Sequence, residues 1–155
     1  MIAEYEVTLA VPGDALPISE LSRDAIEHGL PWNWTQRRVA KSIAEDSTNV
    51  AVVRQGDTLV GFAIMQYGEE EAHIVLLAVH PAYRRKGVAS ALLSWLEATT
   101  RVAGIDLIRL EARAQNISAI SFYRKHGFIE LGLRKGYYLG VEDAVRMAKD
   151  LWVEP

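Results

Sequence analysis

Between Ala72 and Gly104 the chain reads AHIVLLAVHPAYRRKGVASALLSWLEATTRVAG: an apolar strand passes through a basic, glycine-bearing loop directly into an amphipathic helix. That order commits the fold to a sheet with a helix laid beside it, and it builds an anion site. Amides at the start of a helix have no intrahelical acceptor, and the helix dipole adds positive potential at the same place. Gly87 lets backbone approach a ligand where a Cβ would intrude, Arg84, Arg85 and Lys86 surround the spot with cations, and Val88, Ala89 and Ser90 follow in the first turn. A phosphate suits such a loop. Neither G-x-x-x-x-G-K-[ST] nor G-x-G-x-x-G occurs, which sets aside a nucleoside-triphosphate P-loop and a dinucleotide fold. The plainer alternative is a solvated basic turn at the head of an ordinary helix.

With 155 residues, half of them apolar, the chain suits one domain spanning 1–155 with a single core. No charged-then-apolar export segment opens it, and the longest strongly apolar run, Ile74 to Val79, is far short of the roughly 20 residues that cross a bilayer. A cytoplasmic protein is expected, with no membrane partner. The absence of cysteine removes disulfides, thiolate metal sites and a cysteine nucleophile, and His28, His73, His80 and His126 lack close ligand spacing, so no metal is implied. A net charge of −3 argues against general nucleic-acid affinity and makes the Arg84–Lys86 cluster a local site.

The remaining pattern alternates strands and helices. Strand composition at Glu4–Ala10 is followed by helical stretches at Ala15–His28 and, capped by Thr35, from there to Asp46. Val50–Arg54 and Thr58–Tyr67 read as a hairpin turning at Gln55–Asp57, and a second turn at Gly68–Glu70 leads into His73–Val79. The helix after the loop puts Val88, Leu92, Trp95, Leu96 and Val102 on one side and stops at Gly104. Ile105–Ala112 is a strand, Asn116–His126 a helix, and Phe128–Leu133 and Asp143–Leu151 a last pair of strands.

The loop Arg84-x-x-Gly87-x-Ala89, preceded by VHPAY, resembles the pyrophosphate loop of the GNAT superfamily of N-acetyltransferases, and the order of elements is the one that family requires. The resemblance implies an α/β (α+β) GNAT fold: a mixed, mostly antiparallel sheet of six to seven strands, splayed after the fourth and flanked by about four helices. It implies acetyl-CoA as cosubstrate, the backbone of Leu77, Ala78 and Val79 pairing with its pantetheine arm, residues 85–90 holding its pyrophosphate, and Asn116 touching the arm as well as capping a helix. The segments LEARAQNISAISFYRKHGF, KGYY and EDAVRM are similar to those of the ribosomal-protein alanine N-acetyltransferases. Two stretches depart from that branch: the Tyr138–Glu142 segment is short, and WNWTQRR opens the second helix. Both fall where the branch binds its acceptor.

Acetyl transfer needs a deprotonated amine, a polarised thioester carbonyl and a proton for the departing thiolate. By the resemblance Glu111 stands at the position of a general base, Tyr123 at that of the acid facing the thioester sulfur, and the backbone N–H of Val79 at that of the oxyanion donor. Strand periodicity also puts Arg109, Glu111 and Arg113 on one face, so Glu111 has an alternative as an ion-pair residue. Tyr123 has one as a core tyrosine beside Phe122, and Tyr137 and Tyr138 are either groove wall or strand packing. Trp32 and Trp34 either grip the acceptor or staple their loop. His73 and His80 are read as structural, and Glu69–Glu71 as a solvated turn. The favoured acceptor is a protein N-terminal α-amine; the alternatives are a small amine such as an amino acid, polyamine or drug, and a non-catalytic acyl-CoA-binding module. A monomer or a homodimer fits equally.

Overall fold

The computed structural model describes residues 5–152. In chain order the elements are β1 (Val7–Leu9), α1 (Ala15–Ala25), α2 (Gln36–Ala44), β2 (Thr48–Gln55), β3 (Thr58–Tyr67), β4 (Ala72–Val79), α3 (Val88–Val102), β5 (Leu107–Arg113), α4 (Ile117–Lys125), β6 (Ile129–Tyr138) and β7 (Glu142–Asp150). The strands make one sheet in the order β1-β2-β3-β4-β5-β7-β6, antiparallel throughout except where β4 meets β5. The mixed, mostly antiparallel sheet with four helices is the architecture expected from the sequence. Glu4, the expected start of the first strand, lies outside the described residues.

Local chemistry sets the boundaries. Thr35 caps α2 by accepting the Arg38 N–H, and Asn116 caps α4 by accepting the Ala119 N–H. The first helix stops at Ala25 instead of reaching His28, because Ser22 O takes the N–H of both Ile26 and Glu27 and the chain tightens out of the helix. The second stops at Ala44 instead of Asp46, where Glu45 turns extended. The sixth strand runs on past Leu133 to Tyr138, since β7 keeps pairing with it as far as Tyr138↔Glu142. Ile129, Leu131 and Leu133 alternate with other residues, but Arg134, Lys135 and Gly136 break the pattern, so the apolar alternation ended where the sequence placed the strand's end.

Each side of the sheet has its own core. One, against α3 and α4, holds Met65, Leu92, Leu93, Leu96, Leu110, Phe128 and Met147; the other, under α1 and α2, holds Ile18, Val39, Phe62 and Ile64. Val88, Leu92 and Leu96 of α3 are buried as expected and Trp95 is half-buried. Val102, expected on that face, is 90% exposed in the last turn of the helix.

The sheet parts in the middle. β4 and β5 share only the pairs Ala72↔Ile108, His73↔Arg109 and Ile74↔Leu110. One residue later Val75 is the extra residue of a β-bulge, as Met65 pairs with Ile74 and Ile64 with Leu76. A bulge bends its strand and increases the local twist. From there β4 follows β3 while β5 follows β7, and a gap opens between them. His80 N–H donates to Val60 O, so the alternation of an antiparallel ladder turns the N–H groups of Leu77 and Val79 away from β3 and into the gap.

The helix that carries the basic loop is seated on the sheet at Gly61, where an added Cβ would stand 2.7 Å from Val88 Cγ1 and 3.3 Å from Leu92 Cδ1. Gly61→Ala should therefore overpack this contact, costing about 1–3 kcal/mol, and lower Tm by roughly 2–4 °C per kcal/mol for a chain of this size. Thermal unfolding checks this, and adding Val88→Ala should restore most of the loss.

Candidate active site

The gap is a cavity of about 1040 Å³, at the upper end of small-ligand sites. Leu77, Ala78 and Val79 form one wall, Glu111, Ala112 and Arg113 the other, and the basic loop and α4 close one end. In the loop, Gly87 is the N-cap of α3 with φ 89° and Arg85 has φ 60°, so two left-handed residues curl the backbone into a concave nest. Ala91 N–H to Gly87 O is the first bond of the helix, which leaves the amides of Val88, Ala89 and Ser90 without helical acceptors. Arg84, Arg85, Gly87, Val88, Ala89 and Ser90 line the cavity. Lys86 does not: its Nζ lies 5.6 Å from the Tyr83 ring centroid, drawn to the aromatic face. His126 ties this end together. Its Nδ1–H donates to Phe122 O at 2.8 Å, and its Nε2 is 3.1 Å from Ser90 Oγ. A free strand edge beside cationic, amide-rich backbone is a cradle that fits an amide-bearing arm ending in a diphosphate. Asn116 lines the same cavity.

Glu111 is the electrostatic centre. Its side chain is 3% exposed; Oε1 lies 2.6 Å from His73 Nε2 and accepts the Tyr137 hydroxyl at 2.9 Å, and Oε2 accepts Arg109 Nη1 at 3.2 Å. Burial pushes the carboxyl up, but the bond to His73, its charge and the donors Tyr137 and Arg109 outweigh it, so Glu111 sits below the usual carboxylate range and is ionised at neutral pH. In turn burial, with the Glu111 charge and hydrogen bond behind it, pushes the Tyr137 phenol up to about 12. Tyr138, driven up chiefly by burial, points its hydroxyl at Glu111 O, 3.4 Å away.

Sequence periodicity grouped Arg109 and Arg113 about Glu111, and the structure splits them. Arg109 serves Glu111 and Glu71, the latter at 2.6 Å, so Glu71 is more than a solvated turn residue. Arg113 instead forms a bidentate pair with Glu142 at 2.6 and 2.7 Å and donates to Ile26 O and His28 O. It straps the loop after α1 to the start of β7, the two segments flanking the cavity.

Tyr123 packs edge-on to Phe122 and Phe128, with ring centroids 5.3 and 5.5 Å away, and is 7% exposed. Burial drives its phenol well above the ordinary tyrosine value, keeping it protonated. It lines the cavity, and none of the described residues takes its hydroxyl hydrogen bond, although no fully buried polar side-chain atom among them lacks a partner. The hydroxyl therefore opens into the cavity, able to donate.

Opposite stands the loop between α1 and α2. The Glu27 carboxylate, buried at 7% exposure, accepts Ser22 Oγ and the amides of Asn33 and Trp34. That turn drives Trp34 into the core and into the cavity lining. Trp32, the expected acceptor contact, is 43% exposed beside Arg23 and is not among the lining residues. Tyr137 and Tyr138 do line the cavity. The residues missed in the sequence are His73, Glu27 and Arg113. His73 meets Glu111 only through the parallel β4–β5 register, which no local pattern reveals.

A parted sheet with an amide-rich basic loop at the end of the gap, and a carboxylate and a phenol inside it, defines an acyl-CoA-dependent transferase. Residues 18–128 match the Acetyltransferase (GNAT) family, and the chain belongs to it. It is an acetyltransferase that moves an acetyl group from acetyl-CoA to an amine. The chain is 36% identical over 124 residues to the [Ribosomal protein bS18]-alanine N-acetyltransferase of Escherichia coli (strain K12), covering 78% of this chain and 82% of that protein. The crystal structure of the ribosomal-protein-S18-alanine N-acetyltransferase from Escherichia coli superposes with a TM-score of 0.82 at 28% identity, over 98% of this chain and 97% of the other. The PaiA N-acetyltransferase from Thermoplasma acidophilum, in complex with coenzyme A, has the same fold (TM-score 0.82, 20% identity, 96% and 99% covered). No helix among the described residues is long and apolar enough to cross a membrane, and no three of their His, Cys, Asp or Glu side chains are grouped to hold a metal.

Replacing Gly87 by Glu puts a strained left-handed residue and a negative charge at the head of α3. Acetyl-CoA affinity measured by calorimetric titration should fall at least ~10-fold, about 1.4 kcal/mol, in a protein that still folds.

Proposed function

We propose that the acceptor is the α-amine of a protein N-terminus, with Glu111 as the base and Tyr123 as the acid. The observation that carries this reading is the buried, ionised Glu111 carboxylate facing the cavity. An anion there attracts an ammonium group, and its low proton affinity suits an α-amine, with pKa near ~8, better than a lysine or polyamine amine near ~10.4, which is almost never free at neutral pH. The similarity to a ribosomal-protein alanine N-acetyltransferase over most of both chains supports the same acceptor class.

Acetyl-CoA supplies the acetyl group as a thioester. The Val88–Ser90 amides with Arg84 and Arg85 would hold its diphosphate, and the free edge at Leu77–Val79, with Asn116, its amide arm. Val79 N–H, turned into the gap, is the donor for the developing oxyanion. Once the nitrogen begins to bond to carbon its proton becomes strongly acidic, so a carboxylate of low pKa is then a competent acceptor. Glu111 takes that proton and gives it up to solvent once the product has left. Tyr123, un-ionised and without a protein partner, donates to the leaving thiolate.

Product mass spectrometry on a panel of N-terminal peptides against free amino acids, polyamines and amine drugs tests the acceptor: modification at peptide α-amines supports the reading, and modification of small amines alone overturns it. Tyr123→Phe keeps shape and burial but removes the donor. Its kcat should drop ~10²–10⁴-fold with acetyl-CoA affinity nearly unchanged, and a kcat within twofold of wild type would remove Tyr123 from the chemistry.

Because Glu111 is held below its ordinary range, it stays a carboxylate across the neutral range, and the rise of kcat/KM with pH belongs to the acceptor amine near ~8. Glu111→Gln should lower kcat/KM by about 10²-fold or more at every pH while the profile keeps its rise at the acceptor amine's pKa. A variant with a lower Tm and kcat/KM within twofold of wild type per folded enzyme would make Glu111 an ion-pair residue.

A further inference from the structure

We infer that the acceptor carries acidic side chains just after its N-terminal residue, and that Arg134 and Arg146 read them; this rests on the protein N-terminus being the acceptor. The argument starts from the register. Directly opposed residues on neighbouring strands share a face. The rows Arg109↔Ala148↔Ile129, Glu111↔Arg146↔Gly132 and Arg113↔Ala144↔Arg134 therefore set Arg109, Arg113, Arg134 and Arg146 on the face that holds Glu111. Over β2, β3 and β4 this face is covered by α1 and α2, while α4 packs on the opposite side of β5 and β7. The Glu111 side chain, Ala144 and Ala148 are buried on this face, and around them on β6 and β7 side chains reach solvent: Arg134 and Arg146 are exposed and Ile129 is 64% exposed.

The charges on that open face do not balance. Arg109 is engaged by Glu71 and Glu111, and Arg113 by Glu142. Arg134 and Arg146 have no carboxylate at ion-pair distance among the described residues. Neither lines the cavity, but both lie on the strands that border it. Arg146 is the register partner of Glu111, and the Arg134 guanidinium lies 4.9 Å from the ring centroid of Tyr137, whose hydroxyl bonds Glu111. In a chain of net charge −3, two exposed, unpaired guanidinium groups at the rim of the cavity form a local positive field. An amine seated at Glu111 brings the residues after it, about 3.3 Å apart when extended, past both groups. The complement of that field is a carboxylate-bearing segment.

The test is steady-state acetylation of three peptides that share an N-terminal alanine and differ at positions two to five: Asp/Glu, Ser/Gly or Lys/Arg. At about 50 mM salt, kcat/KM for the acidic peptide should exceed that for the basic one by about tenfold, as two rim charges allow, and the ratio should shrink toward one at about 0.5 M. In the variant combining Arg134→Glu and Arg146→Glu the ratio should invert, and Arg146→Gln alone should move it part of the way. Because each ratio is taken within one protein preparation, partial loss of active enzyme cancels. Equal rates on all three peptides, a preference for the basic one, or a ratio the substitutions leave unchanged would overturn the inference while leaving the N-terminal acceptor standing. Acetylation of small amines with no peptide modified would remove the acceptor reading, and this inference with it.

Discussion

Everything that this protein does depends on a sheet that fails to close. Backbone N–H and C=O groups inside a protein are nearly always paired, because an unpaired one costs about 1–3 kcal/mol. Here the bulge at Val75 turns β4 aside after Ile74, and the amides of Leu77 and Val79 face a gap instead of β5. The fold bears this defect because the strand keeps its other edge: Leu77, Ala78 and Val79 stay in register with Ala63, Phe62 and Gly61. Only a ligand with its own hydrogen-bonding backbone can complete such an edge, and the amide-bearing arm of coenzyme A has that chemistry. Gly61 serves the same end by letting α3 settle onto β3, which fixes the basic loop at the mouth of the gap.

The second constraint is electrostatic. A carboxylate at 3% exposure is tolerated only when its lone pairs are used, and Glu111 spends them on His73, Tyr137 and Arg109. Each of these partners also positions something else. Tyr137 belongs to the hairpin wall, His73 to the last paired stretch of β4, and Arg109 holds Glu71 of the preceding turn. The carboxylate thus acts as a fastener where the sheet parts, and it remains charged. Its low proton affinity would make it a poor base toward a free ammonium ion and an adequate one toward a nitrogen already forming its bond to carbon. Arg113 holds the outer frame, tying Glu142 to the carbonyls of Ile26 and His28, so that both segments beside the cavity rest on one guanidinium.

Much of this was legible in the chain because the informative signals are local. A strand, a glycine-bearing basic loop and a helix in immediate succession define the anion site from consecutive residues, and the Thr35 and Asn116 caps follow from side-chain chemistry alone. Elements failed to show where the apolar alternation stopped: Arg134, Lys135 and Gly136 interrupt it in the middle of β6, which hid the strand's true length. Val102 fits the helical period yet lies 90% exposed at the end of α3. Side-chain partnerships were the least visible. Arg113 shares strand parity with Glu111 but finds a better bidentate partner in Glu142. The meeting of His73 with Glu111 depends on a parallel register between β4 and β5, segments far apart in the chain, and the choice of Trp34 over Trp32 as the inward tryptophan depends on the buried Glu27 carboxylate.

The central claim is that the open edge of β4 is the receptor for acetyl-CoA. Hydrogen exchange measured on the protein with and without coenzyme A tests it most directly. Protection should appear in two places, the amides of Leu77 and Val79 and those of residues 85–90, while Ala78, already bonded toward β3, changes little. Binding of coenzyme A with no protection at Leu77 and Val79 would contradict the account, because the ligand would then lie elsewhere and the parted strands would have another purpose.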